Sequence, residues 1–163
     1  MPIDLYRIDD RLIHGQVVVG WGQPMSLGFV VLVDDEVAAS DWEQELYRMG
    51  VPPEMDAIFA SVGDAARQLD AWHSDARSGI VLTGSVDSMQ RLVALRPDIR
   101  AVNVGGLHHR PDRCAALRYV YLTGDEARGL AALAHAGVEV TAQDVPTARP
   151  VPLRDVLSAL EAT

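Results

Sequence analysis

The chain has 163 residues, enough for one domain with a proper core, and its 48% hydrophobic and 23% charged residues are ordinary for a soluble globular protein. A net charge of −9 argues against nucleic acid as a partner. All 14 basic residues are Arg, which reads as codon bias, yet the lack of Lys excludes a P-loop Gly-Lys-Ser/Thr, a kinase ATP-binding Lys and Schiff-base chemistry. No apolar run approaches the roughly 20 residues that cross a bilayer, and residues 1–20 lack the pattern of a signal peptide. Cys114 is the only cysteine, so no internal disulfide forms, and a cytoplasmic location is expected.

Short apolar runs alternate with amphipathic stretches along the whole chain. Strands are expected near 3–8, 28–34, 55–60, 79–83, 99–104, 118–123 and 138–142, with helices near 14–23, 41–49, 62–73, 86–95, 125–136 and 152–161. Ser61, three residues before Asp64, is a helix start, Gly50 and Gly137 are helix stops, and Pro97 closes the helix that begins after Ser85. Phe29-Val30-Val31-Leu32-Val33 and Gly79-Ile80-Val81-Leu82-Thr83 are continuous apolar runs of the kind buried on both faces of a parallel sheet. The alternation implies an α/β fold: a single domain over 1–163, doubly wound, with a mostly parallel sheet of about seven strands and helices on both faces. Val51-Pro52-Pro53-Glu54 reads as a loop and not a domain boundary.

The first strand runs into Arg7-Ile8-Asp9-Asp10-Arg11-Leu12-Ile13-His14-Gly15-Gln16-Val17. A strand, a charged turn and a helix starting near His14 set an imidazole at a helix amino end, where free N–H groups and the dipole favour a phosphate. Neutral imidazole is nucleophilic near pH 7 and can displace a phosphoryl group in line. Arg11 adds a planar fork suited to phosphate oxygens and is expected to act on the phosphoryl group rather than on the fold. Asp10, Ile13, Gly15 and Gln16 complete the expected phosphate-binding loop, with backbone N–H groups near Gly15 and Gln16 as donors. Asp9 and Asp10 are expected to hold the turn in shape by accepting backbone N–H bonds.

This run resembles the active-site segment of the IIB components of the bacterial phosphotransferase system, in the mannose/fructose/sorbose family. Val33-Asp34-Asp35-Glu36-Val37-Ala38, Val102-Asn103-Val104-Gly105-Gly106 and Gly137-Val138-Glu139-Val140 with Val145-Pro146 are similar to further stretches of that family, so the likeness covers essentially all of the chain. The resemblance implies a sheet with the first strand central, flanked by the fourth and fifth. The loops Thr83-Gly84-Ser85 and Gly105-Gly106-Leu107 would then lie beside His14, their small residues leaving room for a phosphoryl group and the donor's imidazole. It implies a protein-phosphohistidine–sugar phosphotransferase, phosphorylated on Nδ1 of His14 by a IIA phosphohistidine protein and emptied to a sugar held by membrane IIC and IID components. No metal or other cofactor is expected. The chain departs from the family at Leu107, where Met often stands, and in having no lysines around the site. No fused IIA or IIC sequence is expected, and the resemblance implies that sugar specificity resides mainly in the membrane partner.

Other features have plainer readings. His108, His109 and Cys114, with Asp112 between, match no standard zinc spacing and read as a surface loop. His73 and His135 sit near helix ends, where a cation suits the dipole. Gly20-Trp21-Gly22 lacks the third glycine of a dinucleotide loop, and Trp21, Trp42 and Trp72 read as packing residues. A receiver-type signalling domain also carries paired aspartates after its first strand and a Thr such as Thr83 ending its fourth, but it needs a Lys that this chain does not have. A regulatory or orphan IIB homologue, phosphorylated on His14 but uncoupled from transport, has the same residues as a transport component.

Overall fold

A computed structural model describes residues 3–12, 20–22 and 24–161. Among them the strands are β1 (Ile3–Ile8), β2 (Leu27–Val33), β3 (Asp56–Ala60), β4 (Ser78–Thr83), β5 (Ala101–Val104), β6 (Cys114–Leu117), β7 (Val120–Leu122), β8 (Glu139–Ala142) and β9 (Val151–Pro152). The helices are α1 (Asp35–Ala38), α2 (Asp41–Arg48), α3 (Val62–His73), α4 (Val86–Leu95), α5 (Gly124–His135) and α6 (Leu153–Glu161). Residues 20–22 are helical as well, and the rest of the helix expected at 14–23 lies outside the described residues.

The main sheet has seven strands in the order β3-β2-β4-β1-β5-β8-β9, parallel except for the antiparallel pairing of β9 with β8. Successive side chains on a strand point to opposite faces, so each continuous apolar run feeds two cores. On one side Phe29, Val31, Val33 and Val81 pack with Leu69 of α3, Met89 of α4, Leu130 of α5 and Val156 of α6. On the other Val30, Leu32, Ile80 and Leu82 pack with Val37 of α1 and, partly buried, Tyr47 of α2. The chain therefore winds one way from β1 to β3 and the other way from β3 through β8. The reversal leaves β1 central between β4 and β5, as the resemblance implies.

Two strand assignments differ from the expectation. The stretch expected as a strand at 118–123 does not join the main sheet. Its residues Val120–Leu122 form an antiparallel hairpin with β6, and Tyr121 N and Tyr119 O bond the backbone of Leu107. Val120 and Leu122 are buried while Tyr119 and Tyr121 are half-buried, so the apolar alternation is real but serves a second, smaller sheet. The seventh strand of the main sheet is instead the two-residue β9, too short to leave a periodic signal. Trp21 and Trp72 are buried as expected. Trp42 is not a packing residue: it is 69% exposed on α2, a helix with no buried residue.

Local signals set the helix ends. Ser61 Oγ accepts from Asp64 N, Ser85 Oγ from Ser88 N, and Gly137 leaves α5 with a φ of 95° that an L side chain rarely adopts. Thr123 and Glu126 form a reciprocal capping box at the start of α5, and Glu126 also holds Arg113. Thr123→Ala should therefore cost about 0.5–2 kcal/mol in denaturant unfolding. A variant as stable as wild type would show that Arg113 holds this corner without the cap.

Candidate active site

Residues 9–12 leave the carboxyl end of β1 between two loops, as a doubly wound sheet requires of a site at its switch point. Asp9 N donates to Thr83 O at 2.9 Å, Asp10 N to Gly106 O at 2.8 Å, and Gly105 N to Ile8 O at 2.7 Å. Thr83, Gly84 and Ser85 on one side and Gly105 and Gly106 on the other thus flank the turn. His14, Ile13, Gly15 and Gln16 lie outside the described residues. Leu12, the last described residue before them, has a left-handed φ of 54°, which costs a non-glycine residue about 1–2 kcal/mol. It packs toward Gly84, where an added Cβ would meet Leu12 Cδ2 at 2.7 Å.

Asp9 is the centre of the turn. It is completely buried and accepts from Arg7 Nη2 at 3.1 Å, Arg11 Nε at 2.9 Å, Arg11 Nη2 at 2.7 Å and the Arg11 backbone N–H at 3.1 Å. Burial pushes its carboxyl up, but the Arg11 and Arg7 guanidinia prevail and hold it below the usual carboxylate range. The same contacts meet the expectation that Asp9 shapes the turn, and two of its donors are arginine side chains.

Arg7 is the functional neighbour that the sequence reading passed over. It is fully buried in the central strand, bonded through Nη1 to Asn103 Oδ1 and Gln143 O and through Nη2 to Asp9 and Asp144 O, with its guanidinium 4.5 Å from the centre of the Trp21 ring. Burial lowers its pKa against the pull of Asp9, yet a guanidinium stays protonated in any accessible range. A signal was present: Arg7 and Asp9 are two apart on a strand, so they share a face. Asn103 sits opposite Arg7 in the β1–β5 register, which the apolar pattern alone does not reveal.

Arg11 is 31% exposed, clamped on Asp9 and 3.6 Å from an Asp144 oxygen. It therefore supports the fold as well as facing the cleft, where the sequence reading gave it the phosphoryl group alone. The glycines serve these arginines. A Cβ on Gly105 would collide with Arg7 and Asp9, and one on Gly106 would meet Arg11 Nε at 2.8 Å. The room expected beside Gly105 and Gly106 is thus filled by the protein's own guanidinia.

Asp10 anchors the turn to the hairpin side. Its Oδ2 accepts from the His108 backbone N–H at 3.0 Å and from Arg113 Nη1 at 3.1 Å, and lies 2.6 Å from His108 Nδ1. Arg113 is buried and forks onto Glu126. His108 is exposed, and His109 meets the Tyr121 ring edge-on. No group of metal-ligating residues occurs among the described residues, and none of their helices is long and apolar enough to cross a membrane. His73 closes α3 and bonds the Tyr6 hydroxyl at 2.9 Å, while His135 ends α5.

Comparison with known proteins agrees with this geometry. The chain is 30% identical over 165 residues to the mannose-specific EIIAB component of the phosphotransferase system of Escherichia coli K12, covering 99% of this chain and 50% of that protein. It thus spans about half the length of the mannose-specific proteins it matches. It is also 30% identical to the N-acetylgalactosamine-specific phosphotransferase enzyme IIB component 1 of E. coli K12, over 87% of this chain and 90% of that one. The crystal structure of the IIBSor domain of the sorbose permease from Klebsiella pneumoniae superimposes with a TM-score of 0.86 at 25% identity, covering 97% of each chain. Residues 3–163 match the sequence model described as "PTS system sorbose subfamily IIB component", and the chain belongs to that family of phosphotransferase-system proteins.

Proposed function

We propose that the chain is a cytoplasmic phosphocarrier that takes a phosphoryl group from a phosphohistidine IIA protein onto His14 and passes it to a sugar held by membrane IIC and IID components. The observation that carries this reading is the position of residues 9–12. They leave the central strand at the point where the sheet reverses its winding, between two loops joined to them by backbone bonds, two residues before the imidazole. In loading, the donor's N–P bond breaks as the His14 N–P bond forms. In unloading, the sugar oxygen takes the phosphorus, the electron pair returns to the ring, and the hydroxyl proton ends on the imidazole. Such transfers depend on positioning and on neutralising the equatorial oxygens, and Arg11 with the backbone N–H groups around Gly15 and Gln16 supplies both. The turn is preorganised for it, because Asp9 and Arg7 fix Arg11 before any phosphate arrives.

Incubation with phosphoenolpyruvate, the general phosphotransfer proteins and a IIA donor should add one acid-labile phosphate, mapped by peptide analysis to His14. With pre-phosphorylated IIA the loading step should proceed in EDTA, since no metal takes part in it. Label retained by His14→Ala on His108 or His109, or a strict need for Mg²⁺ at that step, would overturn the assignment.

A further inference from the structure

An open pocket of about 260 Å³ lies beside the turn, lined by Asp10, Arg11, Gly106, Arg118, Tyr119 and Tyr121 among others. It is smaller than the roughly 300–1,000 Å³ of most ligand pockets, fit for a single sugar ring and not for a nucleotide. Three chemical features meet in it. Tyr119 and Tyr121 project from the same side of β7 and its approach, since Val120 between them is buried, and they give the pocket two aromatic rings. Flat apolar ring faces are what the C–H faces of a pyranose pack against.

The second feature is charge. Arg11 is already neutralised by Asp9, but Arg118 has no carboxylate partner among the described residues, in a chain whose net charge is −9. The third is Asp10 Oδ1, buried with no hydrogen-bond partner among the described residues although Oδ2 of the same carboxylate is crowded with donors. A buried acceptor without a donor is costly, and a ligand hydroxyl supplies what it lacks.

An aromatic wall, a free guanidinium and an acceptor in want of a donor describe a sugar phosphate better than an inorganic anion or a free sugar. Resting on the proposed function, we infer that this pocket binds the phosphorylated sugar product. The phosphate lies toward Arg11 and Arg118, the ring lies on Tyr119 and Tyr121, and a ring hydroxyl turns to Asp10. Product held there lies against Arg11, the residue proposed to steady the phosphoryl group, so its accumulation slows unloading.

The test uses the unphosphorylated chain and needs no phosphotransfer. The 6-phosphates of mannose, fructose, sorbose and N-acetylgalactosamine, the parent sugars and inorganic phosphate are titrated separately, and the resonances of the two tyrosine rings are followed by NMR. At least one sugar phosphate should bind about tenfold or more tighter than its parent sugar and than phosphate. Arg118→Ala should erase the preference for the phosphorylated over the free sugar, roughly a tenfold change or more for one charge-assisted bond. Tyr121→Ala should erase the preference for sugar phosphate over inorganic phosphate. The inference is overturned if no sugar phosphate outcompetes phosphate, or if binding shifts neither ring, or if both substitutions leave both preferences intact in a folded protein. A chain that binds sugar phosphate but takes no label at His14 would refute the proposed function and leave the pocket standing. Normal labelling without binding would do the reverse.

Discussion

Asp9→Asn should lower the stability of the folded chain by about 3–5 kcal/mol, the loss typical when one member of a buried ion pair is removed. The carboxylate is fully buried and takes four hydrogen bonds, three of them from two guanidinia. Asparagine keeps the shape and one acceptor oxygen, but it turns its amide donors toward arginines that have none to receive them. Arg7 suffers most, being buried with no water to replace the lost partner. Denaturant unfolding measures the loss, and its pH dependence identifies the cause. The carboxyl is held below its ordinary value of 3.8 in the fold, so its contribution is complete above that value and fades as pH falls through the lower folded one. The gap between wild type and Asp9→Asn should therefore be constant near neutrality and shrink only below about pH 4. A gap that stays constant down to pH 2, or a variant within 1 kcal/mol of wild type, would mean that the arginines find other partners.

Arg11→Ala should slow phosphotransfer through His14 by roughly 10- to 100-fold, the worth of about 1.5–3 kcal/mol in a charge-assisted bond to an anion. Its clamp on Asp9 means that the fold suffers too. With the side chain 31% exposed, screening should keep that loss to about 1–2 kcal/mol, a drop of a few degrees in thermal midpoint. Arg11→Lys separates the two effects. An ammonium restores one contact to Asp9, and with it most of the stability, but a point charge cannot grip two phosphoryl oxygens while holding the carboxylate. Transfer should stay depressed in the Lys variant after stability has returned. Should stability fall in both variants while transfer by the folded fraction stays normal, Arg11 is a strut and the phosphate cradle is built from backbone alone.

The fold was legible because its evidence is periodic and local. Phe29–Val33 and Ile80–Leu82 are apolar on both faces, and Ser61, Ser85 and Gly137 mark helix ends with their own chemistry. The hairpin was misassigned because a half-buried alternation such as Val120-Tyr121-Leu122 states which side is apolar and not which sheet receives it. Trp42 misled for the opposite reason, an aromatic residue read as packing on a helix whose apolar stripe faces outward. At the site the turn was readable from the motif itself, and its flanking loops followed from the family resemblance. The arginine–carboxylate lattice was not, because Arg7, Asn103 and Asp144 converge only through pairing between distant strands, and no local pattern encodes a partner on another strand.

The same distances govern the order in which the molecule is made. The central strand is made before every other strand of its sheet, but Arg7 meets Asn103 across 96 residues and the backbone of Gln143 across 136. Until β5 and the segment after β8 have been synthesised, the strand carries a guanidinium that has nothing to bury against. Closing such long loops costs entropy before any contact rewards it, so this topology delays folding of the sheet until β8 and the residues after it have been made. A nascent chain halted before Asn103 should remain sensitive to protease throughout β1, and protection should appear only once residues beyond Asp144 have left the exit tunnel.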